Sequence, residues 1–142
     1  MRPMMTDLGP LLTSRPPELT DAQVVHLLAH HYGLAGPLKR LTSERDLNLH
    51  LALPGQSYVE KFANRAEPRA VTDFQTAALL HLEGAGLPVP LVRRSLAGAT
   101  EVETEFGLLR VLSYLEGMPL HLAPKSAAQR RAMGGMAARV SL

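Results

Sequence analysis

The feature that most constrains the fold of this chain is the segment 47–53, in which leucine occupies every second position. A period of two places alternate side chains on opposite faces of a β-strand, so the segment predicts a strand with one buried face. The dipeptide Pro54-Gly55 then turns the chain into 58–63, which has the residue types of a second strand. The two segments predict a β-hairpin, and residues 39–42 predict a strand before it.

Helical patterns flank the hairpin on both sides. Thr20 followed by Gln23 is the sequence of a capping box, and apolar residues at helical spacing continue from it to Gly33. A second helix is expected over 67–83, where the apolar residues share one helical face: Val71, Phe74, Ala78, Leu79 and Leu82. A third helical pattern covers 126–140.

Two further strand-like segments, 100–104 and 108–114, lie between the second and third helices and are bounded by glycines. The order of elements is therefore helix, three strands, helix, two strands and helix. Because a long helix separates the third strand from the fourth, we expect an α+β fold in which helices pack on a five-stranded antiparallel sheet. A chain of 142 residues has room for one such domain.

Composition excludes several classes of protein and site. The sequence has no cysteine, which removes disulfides, thiolate nucleophiles and cysteine-bound metals. The net charge is +2 with acidic and basic residues interleaved, so we expect neither nucleic acid nor a membrane as a partner. No segment has the pattern of a membrane-spanning helix or a signal peptide, and the cytoplasm is the expected location.

Two histidines, His26 and His30, lie four residues apart in the first predicted helix, a spacing that suits metal binding. The sequence offers no third ligand for them. We therefore interpret them as a histidine pair at or near the helix surface and predict no metal site.

Lys61 is one of three lysines in the sequence and lies within the strand predicted over 58–63. It shares a face with Val59, and we expect that face to be half-buried. A buried ammonium is costly without a counter-charge, so a carboxylate of the next helix or a ligand phosphate is expected opposite it. The alternative is an edge lysine whose charge reaches water along its apolar stem.

Three short segments are informative in combination: Tyr-Val-Glu-Lys at 58–61, Leu-Pro-Val-Pro at 87–90, and Leu-Arg-Val-Leu-Ser-Tyr-Leu-Glu-Gly at 109–117. With the helix between the first two, they resemble the N-terminal lobe of the aminoglycoside phosphotransferase family, whose members have a protein-kinase-like fold. Segments 41–48 and 74–82 are most similar to the hydroxylysine-kinase-like branch of that family.

The resemblance extends from residue 20 to residue 142 and implies three regions. Residues 1–19 would be a flexible proline-rich leader, and 20–117 would be the kinase-like lobe. Residues 118–142 would be a linker and the first helix of a truncated C-terminal lobe. The kinase-like lobe would contain the five-stranded sheet, with a helix between strands three and four and with helices at both ends.

The resemblance also implies contacts with the phosphates of a nucleotide. Lys61 would contact the α- and β-phosphates of ATP, held by a glutamate of the following helix. The corresponding position in this chain is Gln75, a neutral amide that can hydrogen-bond an ammonium without offsetting its charge. The turn 43–46 would close over the phosphates, but it has two carboxylates and no glycine, which makes it a poor phosphate cradle.

The adenine contacts implied by the resemblance lie on either side of this lysine in the sheet. Val59 would cover the adenine ring, and Leu112 would be the gatekeeper at the back of its pocket. The hinge, whose backbone groups pair with the adenine edge, would be formed by Ser113, Tyr114 and Leu115.

Phosphoryl transfer also needs a catalytic aspartate and magnesium-binding carboxylates, which the family carries in a His-x-Asp loop and a later motif of its second lobe. The sequence contains neither, so we assign no catalytic or metal-binding residue. The resemblance therefore implies the nucleotide-binding lobe of an ATP-dependent small-molecule phosphotransferase, inactive alone. Magnesium-bound ATP and a small hydroxyl-bearing acceptor belong to the complete enzyme, and weak or no ATP binding is expected here.

The alternative is a non-catalytic interaction or regulatory module that retains the fold of the lobe. Gln75 and the acidic turn 43–46 favour this module, whereas Lys61 and the hinge favour the nucleotide-binding lobe. For the lobe left without its partner, we expect self-association through an open apolar surface near four leucines: Leu112, Leu115, Leu120 and Leu122.

Overall fold

The computed structural model describes residues 9–142, without the side chain of Leu11. Within this part of the chain six strands form one sheet: β1 (Leu38–Leu41), β2 (Leu47–Leu53), β3 (Gln56–Phe62), β4 (Val92–Arg93), β5 (Val102–Thr104) and β6 (Gly107–Ser113). Four helices accompany them: α1 (Gly9–Thr13), α2 (Asp21–Tyr32), α3 (Arg69–Gly84) and α4 (Ala127–Ser141). The α+β fold is confirmed, with α3 between the third and fourth strands.

The sheet is antiparallel throughout, in the order β1-β2-β3-β6-β4, and β5 also pairs with β6. It has one strand more than the five expected, because Val92 and Arg93 of β4 pair with Leu112 and Val111. The sequence shows this segment only as an extended stretch that follows two prolines. Its pairing depends on the path that α3 gives the chain, and this path is not visible in a local pattern.

One face of the sheet is covered by α2 and forms the hydrophobic core. Alternate residues of β2 face the helix, as the period of two predicts, and Leu49 and Leu51 are fully buried there. The remaining fully buried apolar residues of this core come from α2, β3 and β6: Val24, Leu28, Tyr32, Phe62, Leu109 and Val111. Removal of this apolar surface from water is the main favourable contribution to folding.

The predicted capping box at the start of α2 is confirmed. Thr20 Oγ1 accepts the N–H of Gln23 at 3.2 Å, and Gln23 Oε1 accepts the N–H of Thr20 at 2.8 Å. At the other end Gly33 adopts a φ of 66°, a left-handed conformation that glycine takes at little cost. Its N–H donates to the carbonyl of Ala29, so the helix that covers the core ends where the sequence predicts.

The apolar face predicted for α3 is only partly correct. Val71 and Phe74 are exposed, Phe74 to 72%, whereas the buried residues of the helix are Thr72 and Thr76. Ion pairs join the first turn of α3 to carboxylates in and just before β5. Ala78, Leu79 and Leu82 of the predicted face are partly buried, so the apolar periodicity was correct for the second half of the helix and not for the first.

The segment between α1 and α2 is part of the packed unit. Leu19 is buried in the core, and the side-chain amide of Asn64 donates to the carbonyls of Ser14 and Arg15 at 3.2 and 3.1 Å. Within the predicted leader, residues 14 and 15 therefore contact the loop after β3, and residue 19 contacts the core. Residues 1–8 of the predicted leader lie outside the described residues.

The C-terminal helix α4 contains no buried residue. Ser126 caps its N-terminus, where Ser126 Oγ accepts the N–H of Gln129 at 3.0 Å. The helix thus forms outside the core of the sheet. None of the helices in the described part of the chain is long and apolar enough to cross a lipid bilayer.

Candidate functional site

The sheet face opposite α2 carries the residues that the resemblance assigns to nucleotide binding. Side chains alternate along β3, and Glu60 and Phe62 are buried on the core side, so Val59 and Lys61 lie on the other side. Register partners on adjacent antiparallel strands share a face. We call this second side of β2, β3, β6 and β4 the open face, and two rows of side chains cross it.

The first row, here called the cationic row, consists of Asn48, Lys61 and Arg110, which are register partners on β2, β3 and β6. Lys61 is half-buried. Burial lowers the pKa of its ammonium, Asp46 acts in the opposite direction, and Arg110 adds to the lowering. Arg110 is only 4% exposed, so a half-buried cation lies beside one that is almost fully buried.

Arg110 is connected to α3 by a hydrogen bond. Its Nη2 donates to Gln75 Oε1 at 2.8 Å, while its Nε has no hydrogen-bond partner among the described residues. Burial lowers the pKa of Arg110, and the carboxylates of Glu101, Asp46 and Glu67 act in the opposite direction. The guanidinium is therefore buried beside a neutral amide, with carboxylates at longer range.

The position of Gln75 differs from what the resemblance leads us to expect. Its amide oxygen accepts from Arg110 of β6, and not from the ammonium of Lys61 on β3. Arg110 is thus a site residue that the sequence prediction did not single out. The available signal was a charged residue at 110, on the same strand face as Leu112, within an otherwise apolar run from 108 to 112.

The second row, here called the apolar row, lies one step further along the strands. It consists of the register partners His50, Val59, Leu112 and Val92, of which the last three are apolar. The Nε2 of His50 is buried without a hydrogen-bond partner in the described residues. Tyr114 extends the row, since its ring stacks on His50 with the ring centroids 4.2 Å apart. Leu112 is 8% exposed, so the prediction that it contributes to an exposed apolar surface is wrong.

The segment assigned as the hinge continues directly from β6. The N–H of Ser113 donates to the carbonyl of Leu91, and Ser113 Oγ accepts the N–H of Leu91, both at 2.8 Å. The N–H of Tyr114 donates to the carbonyl of Ser57 at 2.9 Å. These bonds hold the backbone at the end of the apolar row, and Leu115 follows with 54% of its surface exposed.

The acidic turn 43–46 lies at the other end of the site. Asp46 Oδ1 accepts the N–H of Asn64 at 3.0 Å, and Asn64 Nδ2 donates to the carbonyl of Arg45 at 2.9 Å. One carboxylate oxygen of Asp46 is thus occupied within the fold. A cleft of about 80 Å³ separates this turn from α3, and Arg110 lines it.

Glu60 lies next to Lys61 in the chain but on the core side of the sheet. It is fully buried, and neither carboxylate oxygen has a hydrogen-bond partner in the described residues. Burial raises the pKa of Glu60 from 4.5 to about 8. Its charge therefore does not serve as the counter-charge of the cationic row.

The histidine pair of α2 is exposed, as the sequence indicated. The rings of His26 and His30 are stacked, with centroids 6.1 Å apart and planes at 9°. Across residues 9–142, no three or more histidine, aspartate or glutamate side chains form a group able to hold a metal ion. The described residues thus offer magnesium no cluster of ligands.

Comparison with known proteins gives a family and a fold. The model of the phosphotransferase enzyme family, APH, matches residues 37–141. The crystal structure of a spectinomycin phosphotransferase, in complex with ADP and spectinomycin, matches with a TM-score of 0.68 at 13% sequence identity. The match covers 85% of this chain but 37% of the spectinomycin phosphotransferase chain, so the present chain spans well under half the length of that protein.

No curated protein matches the sequence, and neither match singles out the hydroxylysine-kinase-like branch. The structural match confirms the kinase-like fold seen in aminoglycoside phosphotransferases. The family match covers most of the chain, including all six strands of the sheet and the two rows of the open face. This chain therefore belongs to the phosphotransferase enzyme family.

Proposed function

We propose that the open face binds an adenine nucleotide and that the chain is the nucleotide-binding lobe of an ATP-dependent small-molecule phosphotransferase. The observation that carries this proposal is the division of the open face into an apolar row and a cationic row. Same-face positions along a strand are about 7 Å apart, so the rows are close enough for one ligand. A nucleotide has the same division, with a flat base at one end and phosphates at the other.

Each row then has a defined role in the proposed complex. Val59 and Leu112 contact the face of the adenine ring, and the backbone of Ser113 to Leu115 pairs with its edge. Lys61 contacts the α- and β-phosphates. Its half-buried position supports this role, because a phosphate supplies the counter-charge that a partly desolvated ammonium requires.

The wider activity is proposed from the family and the fold neighbour. The neighbour was solved with ADP and spectinomycin, a nucleotide and an acceptor, and the present chain corresponds to 37% of its length. We assign the contacts with a small hydroxyl-bearing acceptor to the complete enzyme. We assign residues 118–142 to the linker and the first helix of the second lobe, and place the enzyme in the cytoplasm.

The chain by itself is proposed to bind the nucleotide weakly and not to transfer the phosphoryl group. Transfer requires a carboxylate that takes the proton of the acceptor and metal ions that neutralise charge on the phosphates. The sequence has no His-x-Asp motif, and the described residues hold no cluster suited to a metal. A steady rate of ATP-dependent phosphorylation by the purified chain would contradict this proposal.

Titration of ATP and ADP into the Lys61→Met variant tests the proposed site by calorimetry. We expect at least a tenfold weaker affinity than for the unmodified chain, because the phosphate contact is removed. Lys125→Met is the matched control, since Lys125 is exposed in the loop before α4, and its affinity should stay within twofold. Equal loss in both variants, or no binding by the unmodified chain at millimolar nucleotide, would contradict the proposal.

An interaction module that retains the fold is the second candidate function. It is favoured by the exposure of Phe74 and Val71 on α3 together with the neutral Gln75. This candidate predicts that the Lys61→Met and Lys125→Met variants are equally inert towards nucleotides. The calorimetric comparison therefore separates the two functions.

A further inference from the structure

We infer that Arg110 is a second phosphate-binding residue and that Lys61 and Arg110 together form a paired-cation site for a polyphosphate chain. This inference rests on the proposed function and adds a residue to the phosphate end of that site. The pair would bind the phosphates without the helix glutamate, because the corresponding Gln75 carries no charge.

The first support is the position of the two cations. Lys61 and Arg110 are direct register partners on β3 and β6 and project from the same face. Directly opposed residues of antiparallel strands are about 5 Å apart at Cα. Like charges at this separation destabilise a sheet, so the arrangement favours an anion bound to both.

The second support is the absence of a counter-charge in direct contact. The four ion pairs found across residues 9–142 are formed by Arg40 and Arg69, and none includes Lys61 or Arg110. The hydrogen-bond acceptor that Arg110 does have is the neutral amide of Gln75. Its Nε remains without a partner in the described structure, although Arg110 is 4% exposed.

The carboxylates within electrostatic range of Arg110 are engaged elsewhere or lie across the cleft. Asp46 uses Oδ1 to accept the N–H of Asn64, and Glu101 pairs with Arg69. Glu67 lines the same 80 Å³ cleft as Arg110 without an ion pair to it. These acids lessen the positive potential at Arg110 but do not complete its hydrogen bonding.

The third support is the geometry of the guanidinium group. Arginine binds phosphate oxygens through several N–H groups in a fixed plane. Gln75 accepts from Nη2 and orients the group, and Nε is buried without a partner in the described structure, so the guanidinium retains unused N–H donors. A polyphosphate that bridges both cations would remove the desolvation cost of each.

Inorganic tripolyphosphate is the probe for this site, because it lacks the base and therefore does not depend on the apolar row. Calorimetry at constant ionic strength compares the unmodified chain with Arg110→Gln and with Arg130→Gln. Arg130 is exposed on α4, so its substitution makes the same change in net charge away from the sheet. We expect the affinity to fall at least tenfold in Arg110→Gln and to stay within twofold in Arg130→Gln.

The inference is overturned if the unmodified chain does not bind tripolyphosphate, or if Arg110→Gln binds it as tightly. It is also overturned if both variants lose the same affinity, since a diffuse charge effect then accounts for binding. Thermal unfolding of each ligand-free variant shows whether the fold is retained.

Gln75→Glu provides a second variant that does not disturb a buried residue, since Gln75 is exposed. A carboxylate at this position neutralises Arg110 directly, so we expect tripolyphosphate affinity to fall at least threefold. Gln129→Glu on α4 is its charge-matched control and should leave affinity within twofold. If Arg110→Gln does not fold, this pair decides the question, and unchanged or tighter binding by Gln75→Glu overturns the inference.

ATP titrations separate this inference from the proposed function. If tripolyphosphate binds in an Arg110-dependent manner but ATP binds no more tightly than tripolyphosphate, the paired-cation site stands and the nucleotide pocket does not. If Lys61→Met loses ATP affinity while Arg110→Gln keeps it, the nucleotide pocket stands and the role of Arg110 is overturned.

Discussion

At the scale of single residues, Glu60 and Lys61 are neighbours in the chain with opposite electrostatic environments. Alternation along β3 places Glu60 in the core without a polar partner and Lys61 on the open face near Asp46. Burial raises the pKa of the carboxyl and lowers that of the ammonium, since it disfavours the charged form of each. The same strand therefore has a neutral acid on one side and a cation on the other.

The buried Glu60 predicts a pH dependence of stability. Its pKa is 4.5 in the unfolded chain and about 8 in the folded chain, so the folded state binds the proton more tightly. The contribution of this tighter proton binding to the free energy of unfolding is complete below pH 4.5. It is lost progressively as the pH rises to about 8. We expect the free energy of unfolding, measured with urea, to fall by a few kcal/mol over this interval from this group.

Glu60→Gln is the control for this prediction, because glutamine has a similar shape and does not titrate. The contribution of residue 60 to the pH dependence should disappear, and the variant should be more stable than the unmodified chain above pH 8. An identical pH profile for both proteins would show that Glu60 does not titrate in the folded state with a raised pKa.

At the scale of elements, α3 supplies the side-chain partner of a residue on the open face. The helix contributes Gln75 to Arg110 and is joined by Arg69 to Glu101 and Glu103. Its ion pairs with the exposed Asp73 and Glu103 contribute little energy individually, since such pairs are worth up to about 1 kcal/mol. Glu101 of the third pair is only 13% exposed. The buried side of the helix consists of threonines, so α3 packs with less apolar burial than α2, which presents Val24, Leu28 and Tyr32.

Two substitutions on the buried side of α3 have opposite expected effects. Thr76 Oγ1 is buried without a hydrogen-bond partner in the described structure, so Thr76→Val should stabilise the protein by about 1 kcal/mol. Thr72 Oγ1 donates to the carbonyl of Arg69 at 2.9 Å, so Thr72→Val should destabilise it by about 1 kcal/mol. Both are measured by urea unfolding, and effects of the same sign would contradict this account of α3.

At the scale of the whole molecule, apolar side chains remain exposed in the segment that follows β6. Leu115 and Met118 are followed by Leu120 and Leu122, all more than half exposed, and α4 contributes no buried residue. Soluble proteins seldom leave large apolar patches in contact with water unless a partner covers them. The sheet and α2 thus bury a hydrophobic core between them, whereas the segment that begins at Leu115 leaves its large apolar side chains exposed.

We therefore expect the purified chain to self-associate. Light scattering after size-exclusion chromatography should give a mass above that of the monomer, increasing with concentration. The double variant Leu120→Glu and Leu122→Glu should shift the mass towards the monomer, because charge disfavours burial of this surface. Leu96→Glu is the control, since Leu96 is 70% exposed in another loop. A monodisperse unmodified monomer at all concentrations would contradict the prediction.

Local sequence patterns were sufficient to predict most of the helices and strands and part of the candidate site. The leucine alternation identified β2, the Thr20 and Gln23 pair identified the start of α2, and the period of two placed Val59 with Lys61 on one face. Each of these features depends on residues close together in the chain, whose geometry is set by backbone sterics and neighbouring hydrogen bonds. The family resemblance followed from the order of such segments.

The tertiary structure decided which of these residues meet. The pairing of β4 with β6, the packing of Leu19 in the core and the outward position of Phe74 all depend on residues distant in the chain. The bond between Gln75 and Arg110 spans 35 positions, and no pattern in either segment indicates it. The sequence by itself thus determined five of the six strands and three of the four helices of the described chain, together with the face that carries Lys61. The docking of α3 on the sheet decided which side chains contact the residues of that face. The reason is that side-chain partners are set by packing and not by local periodicity.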